Sequence, residues 1–439
     1  MKILMLGWEF PPFLSGGLGV ASLNISRELS KITDLTVIIP KSNPDFISKD
    51  FKLIGINNYS ISKLVEDEEG EIVKNQKITS RKEYLHFLKK INYVDTTIDA
   101  YNEDQEEEEI LTPIKEVKET DDLIRKKYKT VNIFGGKEIY GNNIIKKVII
   151  YGEYVLKIAE HLEFDVIYAH DWMTFLAGME LKKATGKPLV LHVHSLSYDR
   201  SGPEDKGWIF DLEKHAFQEA DKIVAVSRYT SGILAHHYQA PLHAINTIHN
   251  GVNQVKPYKL DKSFPEKMVL FLGRITEQKG PLFFLELAEK VASRYHNVRF
   301  VMAGTGDKLK NVIMEGAFRQ IGDRFHLTGY VQRDKVHDLL AMADVYVMPS
   351  LSEPFGLTAL EAAQFGVPMI ISNRSGAAEV LSGAYTCEFW DAENMANMIV
   401  ELLKNDQLSK SMVHKNYADL ESLTWHKTAE SVKELFSSL

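Results

Sequence analysis

The stretch Glu353-Pro354-Phe355-Gly356-Leu357-Thr358-Ala359-Leu360-Glu361 carries the densest chemistry in this chain. It follows a β-rich run that ends in Pro349-Ser350. Pro354 blocks helix upstream, and Gly356 lets another group approach the main chain closely. The pattern predicts a helix from Leu357, whose first N–H groups are open to a phosphate or sugar oxygen. Glu353 precedes that turn, and Glu361 lies about one helical turn inside it. Carboxylates bracketing an anion cradle make little sense for phosphate alone. They make good sense if each accepts hydrogen bonds from sugar hydroxyls. A glutamate pair can also serve as acid and base in glycoside hydrolysis. Beside a helix N-terminus and cations, however, both should stay ionised, which is poor for an acid.

The cations come from an earlier strand end. Gly273-Arg274 and Lys279-Gly280 follow an apolar run and lead into another predicted helix. Arginine can chelate two oxygens and lysine adds a compact charge, which together suit a diphosphate. Gly16-Gly17-Leu18-Gly19 follows the first apolar run and opens a helix, so it too offers close approach to an anion. It continues to Ser22 and lacks the later acidic residue of a nicotinamide-cofactor fingerprint. His170-Asp171-Trp172 ends a further run, and such a histidine can bond a sugar hydroxyl or a phosphate. His192 and His194 read as structural, Gly304 and Gly306 as a turn, and Cys387 as a structural thiol. No Asp-x-Asp follows a strand and no cluster has metal spacing, so no metal is expected.

These residues need elements to hold them. Residues 3–6 and 35–39 read as buried strands, joined by a helix that presents Leu18, Ala21, Ile25 and Leu29 on one face. Residues 41–143 are less regular and hold acidic blocks at 66–69 and 103–109, which read as a solvated loop or hairpin. Strand and helix then alternate: helix over 144–162, strand 165–169, helix 173–184, strand 189–193, helix 208–219, strand 222–226, and a short strand at 244–248. Residues 251–267, with two prolines and no periodicity, read as a linker. Five strands (268–273, 298–303, 325–328, 345–348, 369–372) then alternate with helices, and a last helix runs from Trp425 to Phe436. The expected fold class is α/β, with two doubly wound parallel-sheet domains. The domains are read as 1–250 and 268–424, with 425–439 as a helix beyond them.

Composition narrows the function. Of 439 residues, 44% are apolar and 26% charged, which excludes a disordered or fibrous chain. The net charge of −8 leaves no broad positive surface for nucleic acid or anionic membranes. One cysteine permits no intrachain disulfide. No apolar run approaches the roughly 20 residues of a membrane span. The opening apolar stretch is too short for a signal peptide, so a soluble cytoplasmic protein is expected.

In order along the chain, these motifs resemble the retaining, nucleotide-sugar-dependent glycosyltransferases of the GT-B fold, closest to glycogen synthases and their relatives. The resemblance rests on Trp8-Glu9-Phe10-Pro11-Pro12 with the Gly16–Gly19 turn, His170-Asp171-Trp172, Asn250-Gly251, Gly273-Arg274 with Lys279-Gly280, and Glu353 with Glu361. It implies that Arg274 and Lys279 bind the donor diphosphate and that Glu353 contacts the transferred sugar. It implies that Glu361 holds the ribose, and that the amides of Phe355, Gly356, Leu357 and Thr358, with Gly16 and Gly17, meet phosphate and sugar. His170 would sit beside the sugar at the reacting face. The last helix would return to the first domain. The partners implied are a nucleotide-sugar, UDP- or ADP-glucose, and an oligo- or polysaccharide acceptor such as glycogen, with no cofactor. Leu14 stands where ADP-glucose-dependent bacterial relatives carry lysine, which leans towards UDP-glucose. A nucleotide-sugar epimerase, a phosphorylase, and a non-catalytic sugar-binding protein docking a partner through the acidic 66–121 region are the rival readings.

Overall fold

A computed structural model describes residues 1–13, 16–43, 50–58, 61–64, 128–131, 134, 139–141, 144–204 and 206–439. The acidic blocks at 66–69 and 103–109, and Leu14, lie outside the described residues. Contacts divide the chain into two compact units, Met1–Leu191 with Lys206–Asp221 and His192–Asp205 with Lys222–Leu439.

The first sheet begins with β1 (Lys2–Leu6), α1 (Gly17–Ser30), β2 (Asp34–Ile39) and β3 (Lys52–Gly55). A separate antiparallel pair follows, β4 (Ile61–Leu64) and β5 (Tyr128–Val131). The alternation then resumes with α2 (Ile144–Ala159), β6 (Val166–His170), α3 (Trp172–Thr185), β7 (Leu189–Val193), α4 (Ser197–Ser201), α5 (Trp208–Glu219), β8 (Lys222–Ala225), α6 (Arg228–His236) and β9 (Ile245–Thr247). The strand order is β3-β2-β1-β6-β7-β8-β9. The runs are continuously apolar because both faces are covered: every residue of β6 and β7 is buried.

The second sheet comprises β10 (Lys267–Leu272), β11 (Val298–Ala303), β12 (Phe325–Gly329), β13 (Val345–Met348), β14 (Met369–Ser372) and β15 (Tyr385–Cys387). Its order is β12-β11-β10-β13-β14-β15, with all pairings parallel. Between the strands lie α7 (Pro281–Arg294), α8 (Leu309–Phe318), α9 (Arg333–Met342), α10 (Leu357–Gln364), α11 (Ala377–Val380) and, after β15, α12 (Ala392–Lys404), α13 (Asp406–Leu420) and α14 (Trp425–Phe436). Alternation along β10 splits the core. Val269 and Phe271 join one buried cluster with Phe284 and Met395, while Met268 and Leu270 join another with Leu360 and Ala363. Near the end of the chain, Thr428 donates to the His249 carbonyl (2.9 Å) and Val252 N–H to the Leu423 carbonyl (3.1 Å). Cys387 is buried, and burial pushes its thiol up to about 12.

The pattern reading finds most of these elements and misses the shortest. The second sheet has six strands, because the three-residue β15 shows no alternation to read. Part of the region read as irregular is ordered, since β3 pairs in parallel with β2. Helices α6 and α13 were not expected. Caps start both: Ser227 Oγ accepts from Thr230 N–H and Asn405 from Leu408 N–H.

In each sheet the order reverses at one place, between β1 and β6 in the first and between β10 and β13 in the second. Loops leaving the carboxyl ends of strands diverge there and open a crevice.

Candidate active site

The four loops that leave these two switch points carry the residues singled out by sequence. Arg274 and Lys279 follow β10, and Glu353 to Glu361 follow β13. Gly16 and Gly17 follow β1, and His170 ends β6.

In the second unit, the β10 and β13 loops lock together at Gly280. Its φ is +68°, and a Cβ there would fall 2.0 Å from the Pro349 carbonyl oxygen. Only glycine fits on both counts. That contact places Lys279 against the β13 loop, where its Nζ forms an ion pair with Glu353 Oε2. Glu353 also accepts from Ser350 Oγ (3.4 Å) and is 6% exposed. Its main chain is tied on both sides: its N–H donates to the Arg374 carbonyl (2.9 Å), and its carbonyl accepts from Gly376 N–H (3.1 Å). Arg274 is half-buried on the connection between β10 and α7.

Helix α10 starts as the sequence predicts. Gly356, at φ +97°, is its N-cap and supplies no side-chain hydrogen bond, so the first turn keeps main-chain donors for an incoming anion. A Cβ at Gly356 would meet Ala377, Glu353 and Met348 at 3.2 Å, so the turn is packed tight. Phe355 is buried in the core, which anchors the turn from below. Thr358 Oγ1 bonds the Tyr346 hydroxyl (2.8 Å). Burial pushes that hydroxyl well above its ordinary range, and the negative charges of Glu353 and Glu361 add to the effect. Both carboxylates therefore act on one side chain of β13. The result is a cation–carboxylate pair, a second half-buried carboxylate and an uncapped helix N-terminus at one crevice. Such a set can hold a diphosphate by charge and polyhydroxylated groups by hydrogen bonds.

In the first unit, Gly16 is the extended N-cap of α1, again with no side-chain cap. Among the described residues, a Cβ on it would meet nothing within 4 Å. Glu9 is buried and accepts from Gly19 N–H (3.3 Å) and from the Tyr140 hydroxyl. His170 is fully buried at the end of β6, edge-on to Tyr168 at 4.4 Å between ring centres. Asp171 follows at φ +58°, a conformation that non-glycine residues adopt at a cost of about 1 kcal/mol or more. In the second unit, His192 and His194 stack at 4.1 Å, and burial pulls His194 down to about 3, so its ring is neutral.

Sequence reading missed a second layer in the second unit: Asp199, Tyr229, Gln278, Ser350, Ser352 and Glu379. Gln278, Ser350 and Ser352 flank motif residues, and that adjacency was the one available signal. Asp199, Tyr229 and Glu379 are brought in by the fold alone.

Comparison with known proteins agrees with this geometry. Residues 254–419 match the family model described as glycosyl transferases group 1, and residues 92–255 match glycosyltransferase family 4. Between them the two glycosyltransferase models span residues 92–419 of the chain. An uncharacterized glycosyltransferase of Methanocaldococcus jannaschii is 32% identical over 240 residues, 50% of this chain and 60% of that protein. A D-inositol 3-phosphate glycosyltransferase of Paenarthrobacter aurescens is 28% identical over 64% of this chain and 75% of its own length. A glycogen synthase of Mycobacterium tuberculosis is 23% identical over 62% of this chain and 68% of its own. Among solved structures, sucrose-phosphate synthase from Thermosynechococcus elongatus superposes with a TM-score of 0.68 at 16% identity, covering 100% of this chain and 98% of that one. An Anabaena protein solved with UDP-glucose gives 0.65 at 14% identity, covering 100% of both chains. At these identities the structures establish the family's fold, two parallel-sheet Rossmann-like domains. The glycogen-synthase likeness is one distant match among relatives with other acceptors. Among the described residues, no helix is long and apolar enough to cross a membrane.

Proposed function

We propose that the protein transfers a sugar from a nucleoside-diphosphate sugar to a hydroxyl acceptor with retention of anomeric configuration. The observation that carries this reading is the Lys279–Glu353 pair at the β10/β13 switch point, beside the uncapped start of α10. Arg274, Lys279 and the α10 N–H groups take the diphosphate, Glu353 takes the sugar hydroxyls, and Glu361 takes the ribose. Gly16, Gly17 and His170, at the equivalent switch point of the first sheet, keep the donor- and sugar-side roles that the family resemblance implies. As the bond from the anomeric carbon to the diphosphate breaks, its electron pair stays on the phosphate oxygen. The acceptor oxygen forms the new bond, and its proton passes to the departing diphosphate. Preorganised cations and main-chain donors stabilise the charge that develops. No step calls on a cofactor or metal.

We further propose a glucosyl donor, UDP-glucose or ADP-glucose, and an α-glucan acceptor, on the motif resemblance to glycogen synthases. The Anabaena neighbour solved with UDP-glucose supports the uridine donor. The deciding experiment measures nucleoside diphosphate release from each donor, with and without glycogen. Release that requires glycogen supports the glucan reading. Release independent of glycogen keeps the transferase and rejects that acceptor, and inositol phosphate and small sugars are then the acceptors to offer. Nucleotide-sugar binding without release in any of these mixtures would favour a binding protein.

A further inference from the structure

Ser352, the residue before Glu353, is 5% exposed and sits in a polar network that no motif includes. Its hydroxyl donates to Asp199 Oδ1. A serine hydroxyl has one hydrogen, so the 2.9 Å contact with the Tyr229 hydroxyl must run from Tyr229 to Ser352. Asp199 is itself buried and accepts the Leu196 N–H at 2.7 Å, which fixes it at the start of α4. The Ser352 carbonyl accepts from Gln278 Nε2 (3.0 Å), and the Gln278 carbonyl accepts from Leu351 N–H (2.9 Å). Gln278 directly precedes Lys279. The network therefore grips the main chain next to both members of the Lys279–Glu353 pair.

Such a chain is costly to bury, because each member left unpaired loses its hydration without compensation. Burial does push the Asp199 carboxyl above its ordinary range, with the bond from Ser352 acting against it. Core packing alone would be served as well by alanine and phenylalanine at 352 and 229. A directional chain from Tyr229 through Ser352 to Asp199 instead specifies one position for the loop. Catalysis is sensitive to that position, since displacements of about 1 Å can cost about 100-fold.

We propose that Asp199, Ser352 and Tyr229 are positioning residues that aim Glu353 at the donor sugar; this rests on the reading of the site as a nucleotide-sugar site. The test uses the full chain, with UDP-glucose and ADP-glucose as probes. Donor affinity, kcat for nucleoside diphosphate release, KM for the donor and thermal midpoint are compared for wild type, Ser352→Ala, Tyr229→Phe and the double variant. Ser352→Ala is expected to lower kcat about ten-fold or more, with KM changed less than about three-fold and the midpoint close to wild type. Tyr229→Phe is expected to lower kcat about three-fold. The double variant should be no worse than Ser352→Ala, because the two residues act through one chain. Wild-type turnover in Ser352→Ala would overturn the proposal. So would losses that simply multiply in the double variant, or that track a fall in thermal midpoint. A wild-type protein that neither binds nor turns over either probe would overturn the nucleotide-sugar reading and the positioning role with it, an outcome distinct from a working enzyme indifferent to Ser352.

Discussion

In the loop after β1, the buried Glu9 accepts hydrogen bonds from the Gly19 N–H and the Tyr140 hydroxyl. In the loop after β13, the buried Glu353 pairs with the charged Nζ of Lys279. Both loops combine a glutamate, a glycine turn and a helix N-terminus without a side-chain cap. They differ in what faces the carboxylate. The partners described for Glu9 include a main-chain N–H and a half-buried phenol, and these bonds hold its loop in one shape. A lysine ammonium is a mobile point charge that a diphosphate can compete for. A buried carboxylate thus marks a binding site or a structural staple according to its partner, and the two kinds should respond oppositely to mutation.

The largest effects should fall on the cations and on Glu353. Lys279→Ala and Arg274→Ala are each expected to lower kcat about 100- to 1,000-fold, the usual cost of removing one charge stabiliser from a transition state. Nucleoside diphosphate release at saturating donor measures it. Near-normal turnover in both variants would end the assignment of this loop to the diphosphate.

Glu9→Ala should act on folding instead. It leaves a buried N–H and a phenol hydroxyl short of an acceptor, at a cost of about 2–4 kcal/mol. A thermal melt should shift down by several degrees, with the wild-type midpoint approached by Glu9→Gln, which keeps one acceptor. An unchanged midpoint for Glu9→Ala would mean that Glu9 does not hold its loop in place.

The contrast explains what the sequence could and could not reveal. The sheets were legible because strands buried on both faces read as unbroken apolar runs, as in β10 and β13. The turns at Lys279-Gly280 and Phe355-Gly356-Leu357 were legible because glycine and proline act locally. The partners of the carboxylates were not. Nothing in the spacing tells that Glu9 meets Tyr140, 131 positions away, or that Ser352 meets Asp199, 153 positions away. Those pairings depend on which loops share a sheet end. Helix α6 escaped notice for a similar reason: its cap, Ser227, is local, but its N-terminus is completed by Glu379 from far along the chain.

Glu353 allows a sharper test of exchange at Lys279. Glu353→Gln should nearly abolish transfer, since the sugar loses its carboxylate. It should also bind free UDP about three- to ten-fold more tightly, because Lys279 no longer has to leave a charged partner. Simple relief of repulsion between Glu353 and the diphosphate would raise affinity too. The two causes separate in a Lys279→Met background. Exchange predicts that Glu353→Gln then gives no gain, and repulsion predicts that the gain persists. Calorimetry on the four proteins decides between them.

Glu379 is a third carboxylate, spent on structure as Glu9 is, and its effect should be the smallest. It accepts the N–H groups of Arg228 (2.9 Å) and Tyr229 (2.7 Å) at the start of α6, and bonds His249 Nε2 at 2.9 Å. Burial alone would raise its pKa, but the bonds from His249 and the two N–H groups outweigh it and hold the carboxyl below its ordinary 4.5. A depressed folded pKa means that the charged form stabilises the fold above the unfolded value. That contribution is lost as pH falls through the lower folded value. Glu379→Gln should therefore cost about 1 kcal/mol near neutral pH, as expected for a charged cap at a helix N-terminus. The gap between the two melting curves should close as pH drops below about 4.5. A gap that stays constant into acid would mean that Glu379 acts through shape rather than charge, and the fixed carboxylates would then need a different account from the one at Lys279.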